Sequence, residues 1–295
     1  MSIKNVTLIG ASGNLGPAIL SNLIDASFNV TILSREGSSS TFPPNIKVVR
    51  ADFSSHDSLV SAFQGQDAIV ASLASSALDI QPKIIDAAIA AGVKRFIPSE
   101  FGSNTLSPEL NEVIPIFGPK VNTVNYLKSK EDSISWTAYI TGAFFDWGLK
   151  VGFVGVDGKT KTANLIDGGN GKSSVTTLNT IGLAVAKGLQ NPELTKNQYV
   201  TIASFTTTQN EILAAAEKVS GTKFTIASDV SSAELTKTGQ EKLGKGDHSG
   251  VVDLLRAGNS GSRNLGDNTV LGLWNDKLGL PKEDFEEVIK SALGL

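Results

Sequence analysis

The stretch VTLIGASGNLG at residues 6–16 decides the fold that the sequence predicts. A short β-rich run at residues 6–9 leads directly into three glycines spaced as GxxGxxG, and apolar side chains at helical spacing follow. Gly10 permits a tight turn out of the strand, Gly13 lets a ligand approach the backbone, and Gly16 allows close helix–strand packing. The stretch therefore predicts a strand, a tight glycine turn and the start of a helix.

The first turn of that helix is predicted to bind the diphosphate of a dinucleotide. Its free amide groups and the positive end of the helix dipole attract phosphate when such a turn connects a strand to a helix. A glycine-rich turn without a ligand is the alternative that the motif alone leaves open. The predicted cofactor contacts of this loop are Gly10, Ser12, Gly13, Asn14, Leu15 and Gly16.

Strand-like and helix-like segments alternate through the first third of the chain. Further strands are predicted at residues 29–33, 46–50, 67–72 and 94–98, and helices at 16–22, 59–63 and 82–91. Continuous apolar strands separated by helices are typical of a parallel sheet covered on both faces. We therefore expect an α/β fold with a doubly wound parallel sheet, a Rossmann domain, over residues 1–150.

The second half, residues 151–295, is expected to form mainly a smaller α/β substrate-binding lobe. The glycine-rich residues 151–170 predict a hairpin or an extended loop, and residues 199–203 predict a strand that returns to the main sheet. Helices are predicted at residues 180–189, at 208–219 after a capping box, and near the C-terminus with Pro281 at its start. Residues 231–269 are polar and glycine-rich, and their pattern predicts no element.

Composition excludes several classes of function. The 295 residues contain no cysteine and two histidines, so disulfides, thiolate chemistry and zinc sites are not expected. The formal net charge of −3 gives no basic surface for nucleic acid. Since no apolar run approaches the ~20 residues that span a bilayer, and no signal peptide is evident, a cytoplasmic protein without a membrane partner is expected.

Arg35 suggests which dinucleotide is bound. Cofactor-binding sheets of this type place a carboxylate at the end of the second strand for NAD, or an arginine for the 2′-phosphate of NADP. Arg35 comes first at this position and Glu36 follows it, so the pair favours NADP(H). An ordinary surface arginine is the alternative.

Two further candidates lie beyond the fifth strand. Ser99, Glu100 and Phe101 follow its carboxyl end, where ligands of such sheets bind. Lys120, near the start of a predicted helix, could act as a general acid or base if burial lowers its pKa. Tyr126 begins a competing YxxxK pattern, but it lies about 120° around the helix from Lys120, so the two cannot face one pocket.

Together these residues resemble the isoflavone reductase-like group of the NmrA-like families, which are atypical short-chain dehydrogenases/reductases. The resemblance rests on the glycine loop, Arg35, Gln81, the segment KRFIPSEFG at residues 94–102, and the lysine 21 residues after Ser99. It implies NADPH-dependent reduction of small phenolic or phenylpropanoid-like molecules, with Lys120 as the catalytic residue.

The resemblance also implies contacts for the remaining site residues. The further cofactor contacts are Gln81, Ser99, Glu100, Phe101, Lys120, Gly142, Ala143 and Phe144. Of these, residues 99–101 would lie along the nicotinamide half, and residues 142–144 would touch the nicotinamide ring. Phe144, Phe145 and Trp147 would form an apolar wall for an aromatic substrate, with plain core packing as the alternative. The segment TGAFFDW at residues 141–147 and the shorter second lobe depart from the plant members, which affects the substrate more than the cofactor.

Three functions remain open from the sequence. The first is an NADPH-dependent reductase, and the second is a non-catalytic sensor that binds NAD(P) and a protein partner. A lysine at position 120 favours the reductase, since a sensor does not need it. The third, an epimerase or dehydratase, would require a working YxxxK. The sequence does not distinguish a monomer from a homodimer.

Overall fold

A seven-stranded parallel sheet forms the centre of the computed structural model, which describes residues 2–114 and 117–295. In spatial order its strands are β11 (Gln198–Thr201), β6 (Ser135–Ile140), β5 (Arg95–Ile97), β4 (Ala68–Ala71), β1 (Asn5–Ile9), β2 (Asn29–Arg35) and β3 (Lys47–Ala51). Every neighbouring pair is parallel. The order reverses between β1 and β4, which creates the crevice where such sheets bind ligands. The predicted doubly wound sheet is confirmed.

Helices cover both faces of this sheet. On one face α1 (Gly16–Asp25) packs against α7 (Leu178–Gln190). The other face carries α2 (His56–Phe63), α3 (Gln81–Ala90) and α5 (Gly118–Lys128). Each face buries an apolar stripe of its helices, as the helical spacing of their apolar residues requires.

The main sheet is built from both halves of the sequence. Strand β11 lies parallel to β6, with Tyr199 opposite Ala138. Helix α7 approaches α1 so closely that a Cβ on Gly182 would lie 2.4 Å from the Ala18 carbonyl oxygen. Residues from about 178 to 201 therefore belong structurally with the first third of the chain.

A second lobe contains two small sheets. One consists of β7 (Ala143–Phe144), β10 (Ser173–Thr176) and β12 (Phe205–Thr207), and the other of β8 (Val156–Asp157), β9 (Thr162–Ile166) and β13 (Thr225–Val230). The helices α6 (Phe145–Lys150), α8 (Gln209–Ser220) and α12 (Phe285–Leu293) share an apolar core beside them. Strands β8 and β9 are antiparallel and make the predicted hairpin, and Thr208 and Glu211 form the predicted capping box of α8.

Two parts of the sequence reading were incomplete or wrong. The unassigned residues 231–269 contain two helices, α9 (Ser232–Gly244) and α10 (Gly250–Ser260). Gly239 is the buried residue of α9, so this helix carries no apolar stripe that periodicity could reveal. Pro281 does not start the last helix, because α12 begins at Phe285 after the capping residue Asp284.

Short helices complete the chain at α4 (Pro108–Val113) and α11 (Asn275–Leu278). Among the helices of the described residues, none combines the length and the apolar character needed to cross a lipid bilayer.

Candidate active site

The glycine loop closes tightly on the carboxyl end of the sheet. Gly10 has a φ of +85°, and a Cβ there would lie 1.9 Å from the Ser72 carbonyl oxygen. A Cβ on Gly16 would lie 2.3 Å from the Gly10 carbonyl oxygen, which leaves no room for a side chain. Both positions therefore require glycine. The loop between them is exposed at Ser12, Gly13 and Asn14.

Helix α1 presents an uncapped N-terminus to this loop. Leu15 occupies the N-cap, Pro17 has no amide hydrogen, and no side chain of the described residues caps the first turn. The first turn also contains no acidic residue. The available amide groups and the helix dipole suit an anion, so the loop fits a dinucleotide diphosphate.

Arg35 is the last residue of β2, and its side chain is exposed at the edge of the crevice. A second arginine that the sequence reading missed lies beside it, because Arg50 on β3 pairs with Ser34. The Arg50 guanidinium donates to the carbonyl oxygens of Ser38, at 2.6 Å, and Ser40, at 3.4 Å. These bonds hold the loop after Arg35 in place and add positive charge next to it.

Ser99 and Gln81 join the carboxyl ends of β4 and β5. The Ser99 hydroxyl accepts from the Leu73 amide at 2.9 Å and donates to the Leu73 carbonyl at 3.2 Å. The Gln81 amide oxygen accepts from the Ser99 amide at 2.8 Å, and its nitrogen lies 3.4 Å from the Thr123 hydroxyl. Gln81 is fully buried and supports the strand exit, while its predicted contact with the cofactor stays a prediction.

Phe101 occupies an unusual backbone conformation directly after Glu100. Its φ is +26°, which is rare for a residue with a side chain and marks local strain. The ring stacks on Tyr139, with centroids 6.0 Å apart. This stacking fixes the turn that presents the backbone of Glu100 and Gly102 to α5.

Lys120 lies at this turn, near the start of α5. Its Nζ donates to the Glu100 carbonyl oxygen, and the Phe117 ring centroid is 5.7 Å away. The side chain keeps some exposed surface, but protein surrounds the ammonium group. Burial lowers the pKa of Lys120, and the nearby Glu100 opposes that shift. A lysine in this setting can give up or accept a proton more readily than a surface lysine.

The Glu100 carboxyl is buried in the same cluster, with 2% of the residue exposed. One oxygen accepts from the Thr105 hydroxyl at 2.7 Å, while the other has no hydrogen-bond partner among the described residues. Burial raises the pKa of Glu100, against the effects of Lys120 and Thr105. Glu100 therefore differs from an ordinary surface carboxylate.

Tyr126 lies on another side of α5 from Lys120. Its hydroxyl donates to Asp86 on α3, and this bond, together with burial, raises the pKa of Tyr126 to about 12. Lys130, the lysine of the YxxxK pattern, lies over the Tyr126 ring, 5.2 Å from its centroid. A tyrosine engaged with Asp86 is not part of the cluster around Lys120.

Gly142 and its neighbours reach the same edge of the sheet. The amides of Thr141 and Gly142 donate to the Gly102 carbonyl at 3.0 and 2.9 Å. Gly142 has a φ of +63°, and a Cβ there would lie 1.9 Å from the Ser174 carbonyl oxygen. Hydrogen bonds therefore connect Gly102, beside Lys120, to Gly142, which directly precedes Ala143 and β7.

The predicted aromatic wall is only partly present. Phe144 and Trp147 are partly exposed and lie edge to face, with centroids 6.5 Å apart. Phe145 has no exposed surface and stacks on Phe285 in the core of the second lobe, 5.5 Å between centroids. Including Phe145 in the wall was wrong, because a side chain without accessible surface cannot contact a substrate. Phe153, 6.0 Å from Trp147, was missed.

Comparison with known proteins places this site in a family. Residues 2–237 match the model of the NmrA-like family. The chain belongs to the NmrA-like family. It is 38% identical to the oxidoreductase aprR of Aspergillus flavus, over 99% of both chains. The family resemblance that the sequence motifs suggested is thereby confirmed.

Solved structures of low sequence identity share the fold. The chain is similar to isoflavone reductase, with a TM-score of 0.78 and 20% identity over 98% of this chain and 99% of the other. It is also similar to AtPrR2 solved with NADP+ and (+)-pinoresinol, with a TM-score of 0.73 and 21% identity over 99% of both chains.

Proposed function

We propose that this protein is an NADPH-dependent reductase of a small aromatic, phenylpropanoid- or isoflavonoid-like molecule. The observation that carries this proposal is the position of Lys120. Its Nζ contacts the backbone of the β5 exit, at the edge of the sheet that also holds the glycine loop and Gly142. The related oxidoreductase and the neighbour solved with NADP+ and an aromatic ligand support the assignment.

The chain offers a separate group to each part of NADPH. The exposed loop at Ser12, Gly13 and Asn14 and the uncapped α1 would bind the diphosphate. Arg35 would bind the 2′-phosphate, with Arg50 holding its loop. The backbone of residues 99–102 and 142–144 would line the nicotinamide half. We assign this binding to residues 1–150 together with α7 and β11, and the substrate to the remainder of residues 151–295.

When bound, NADPH supplies the hydride that reduces the substrate. Lys120 then stabilises negative charge developing on the substrate, or protonates it, directly or through a water molecule. The burial that lowers the pKa of its ammonium group brings proton release closer to neutral pH. Phe144 and Trp147 provide an apolar surface that suits an aromatic ring and limits access of water.

A non-catalytic NAD(P) sensor is the second candidate within this family. It would use the same glycine loop but has no need for a buried lysine beside the nicotinamide half. An epimerase or dehydratase is less well supported, because Tyr126 is bonded to Asp86 and faces away from Lys120.

Cofactor choice is tested by titrating NADPH and NADH into the parent protein and Arg35→Ala. The parent should prefer NADPH by at least about tenfold, as expected for a charge-assisted contact to phosphate. Arg35→Ala should remove the preference while leaving NADH affinity unchanged. Equal affinities in the parent would contradict the assignment to NADP(H).

Catalysis is tested by NADPH oxidation with a panel of phenolic substrates, comparing Lys120→Ala with Tyr126→Phe. Lys120→Ala should retain NADPH affinity and lose at least about a hundredfold in turnover, the usual contribution of a general acid or base. Tyr126→Phe should keep both. Turnover lost only in Tyr126→Phe would move the site to YxxxK. A parent that binds NADPH but oxidises it with no member of the panel would favour the sensor.

A further inference from the structure

Arg256 on α10 is a partly buried cation that the proposed reaction does not use. Its Nη2 donates to the Asn164 carbonyl oxygen at 3.1 Å, while its Nε is buried without a hydrogen-bond partner among the described residues. Asp253, the nearest acid on the same helix, is bonded to Lys242 at 2.7 Å. Burial lowers the pKa of Arg256, and Asp253 opposes the shift. A buried guanidinium donor is costly unless a water molecule or a ligand accepts its hydrogen bond.

Arg256 borders a small cavity with a mixed lining. Its apolar residues are Ala143, Phe153, Val154, Val175, Ile212 and Leu255, and its polar residues besides Arg256 are Ser173, Gln209, Asn259 and Ser260. Ala143 directly follows Gly142, whose amide is bonded to the Gly102 carbonyl beside Lys120. The cavity therefore lies next to the edge of the sheet at which we place the nicotinamide half of the cofactor.

Helix α10 also packs against a residue beside Lys120. Leu254 on α10 is buried in one cluster with Phe117, whose ring lies 5.7 Å from the Lys120 Nζ. A Cβ on Gly258 would lie 2.8 Å from Leu110 on α4, so the two helices are in close contact. Helix α10 thus contributes residues both to the cluster that contains Phe117 and to the lining of the cavity.

We propose that Arg256 binds a carboxylate of the substrate, so that the substrate of this reductase is an apolar, aromatic molecule bearing a carboxylic acid. This inference rests on the proposed function. A planar guanidinium presents its N–H donors as a rigid fork that matches the two oxygens of a carboxylate, and the Nε–H is the donor of Arg256 left without a partner. A neutral acceptor would satisfy the hydrogen bond but would leave the buried charge without a counter-ion.

Binding requires α10 to move. The cavity beside Arg256 measures about 10 Å³, roughly the space of one water molecule. Leu254 packs with Phe117 in a small apolar cluster, and Gly258 lies close to Leu110 of the same cluster. A bound substrate therefore has to displace α10 from this cluster and move Arg256 outward. Hydrogen exchange of the α10 amides should therefore change when a carboxylate ligand binds.

The test compares binding of 4-hydroxycinnamate with that of its methyl ester, with and without NADP+, by calorimetry. The parent should bind the acid about tenfold to a hundredfold more tightly than the ester, the range of a charged hydrogen-bonded contact. Arg256→Gln should remove this preference, and Arg256→Lys should retain part of it, because it keeps the charge but not the paired donors. NADP+ affinity should be unchanged in both variants.

The control is Arg263→Gln, which removes an exposed arginine of the same lobe and should leave the preference intact. Thermal unfolding of each variant shows whether loss of the Asn164 contact has unfolded the lobe, in which case Arg256→Lys decides. A parent that binds acid and ester equally, or binds neither, overturns the inference even if NADPH binds. Absence of NADP+ binding, with the acid preference intact, would instead count against the proposed function alone.

Discussion

At the scale of single residues, Gly10 and Gly13 separate folding from cofactor binding. Gly10→Ala would place a Cβ 1.9 Å from the Ser72 carbonyl oxygen at a φ of +85°, so a loss of about 1–3 kcal/mol in unfolding free energy is expected. At Gly13 the nearest atom to a Cβ is the Gly10 carbonyl oxygen, at 3.3 Å, and φ is not positive. This contact is tight but far less severe than at Gly10, so Gly13→Ala should lose much less stability than Gly10→Ala.

The same Gly13→Ala methyl group would occupy the exposed face assigned to the diphosphate. NADPH affinity should fall by at least about tenfold, which corresponds to losing one or two backbone contacts to phosphate. Urea denaturation and NADPH titration of both variants check the pair. Unchanged NADPH affinity in Gly13→Ala would place the diphosphate elsewhere.

Glu100 predicts an unusual dependence of stability on pH. Because burial raises its pKa in the folded protein, its contribution is fully present below the unfolded pKa of about 4 and is lost as pH rises through the folded value. Glutamine does not titrate. The unfolding free energy of Glu100→Gln relative to the parent should therefore increase between pH 4 and pH 8 in urea denaturation.

Glu109 on α4 is the matched control for this measurement. Its pKa is lowered by its own backbone amide and by the Ser107 hydroxyl, so its contribution is present above the unfolded pKa and lost on acidification. The relative stability of Glu109→Gln should thus fall with rising pH, opposite to Glu100→Gln. A flat profile for Glu100→Gln, or the slope of Glu109→Gln, would show that the folded protein does not raise the pKa of Glu100.

At the scale of elements, the Asp167 carboxylate connects β9, α9 and α10. Its carboxylate follows β9 and accepts from the amides of Ser232, which begins α9, and Ser262, which follows α10, each at 2.8 Å. Burial opposes ionisation, but the hydrogen bonds from these two serines outweigh it and lower the pKa of Asp167 to about 2. The carboxylate therefore anchors α9 and α10, the second of which carries Arg256.

Asp167→Asn should lower the unfolding free energy at pH 7, because the amide can accept only one of the two backbone bonds. The contribution of a carboxyl with a lowered pKa is present above the unfolded value of about 4 and is lost as pH falls toward 2. The gap between variant and parent should therefore narrow from pH 5 to pH 3. A gap independent of pH would contradict the anchoring role.

The elements also show what the sequence could and could not predict. The glycine loop and strands β1 to β5 could be predicted from local signals, because their turn residues and apolar runs occupy consecutive positions in the sequence. Helix α9 was missed because it buries only Gly239. The positions of Gln81 and Phe145 depend on what packs against them from distant parts of the chain, so their burial could not be read locally. The same holds for Arg256, whose neighbours across the cavity come from β7, β10 and α8.

At the scale of the whole molecule, the main sheet with its helices and the second lobe are not consecutive pieces of chain. Helix α7 follows β10 of the second lobe, yet it covers the same sheet face as α1, and β11 completes that sheet before the chain returns to β12. One face of the main sheet is thus covered partly by residues beyond position 150. A substitution that disturbs the contact between α1 and α7 is therefore expected to lower the stability of the whole molecule.

Gly182→Ala tests this dependence. Its Cβ would lie 2.4 Å from the Ala18 carbonyl oxygen, and overpacking of this kind costs about 1–3 kcal/mol. In Gly244→Ala, on α9, the new Cβ meets nothing within 4 Å, so the same substitution should gain up to about 1 kcal/mol from its helix preference. Thermal unfolding of Gly182→Ala should shift in a single transition followed by both Trp136 and Trp147 fluorescence, using variants that keep one tryptophan. Two separate transitions, with only Trp136 affected, would show that the halves of the molecule fold independently.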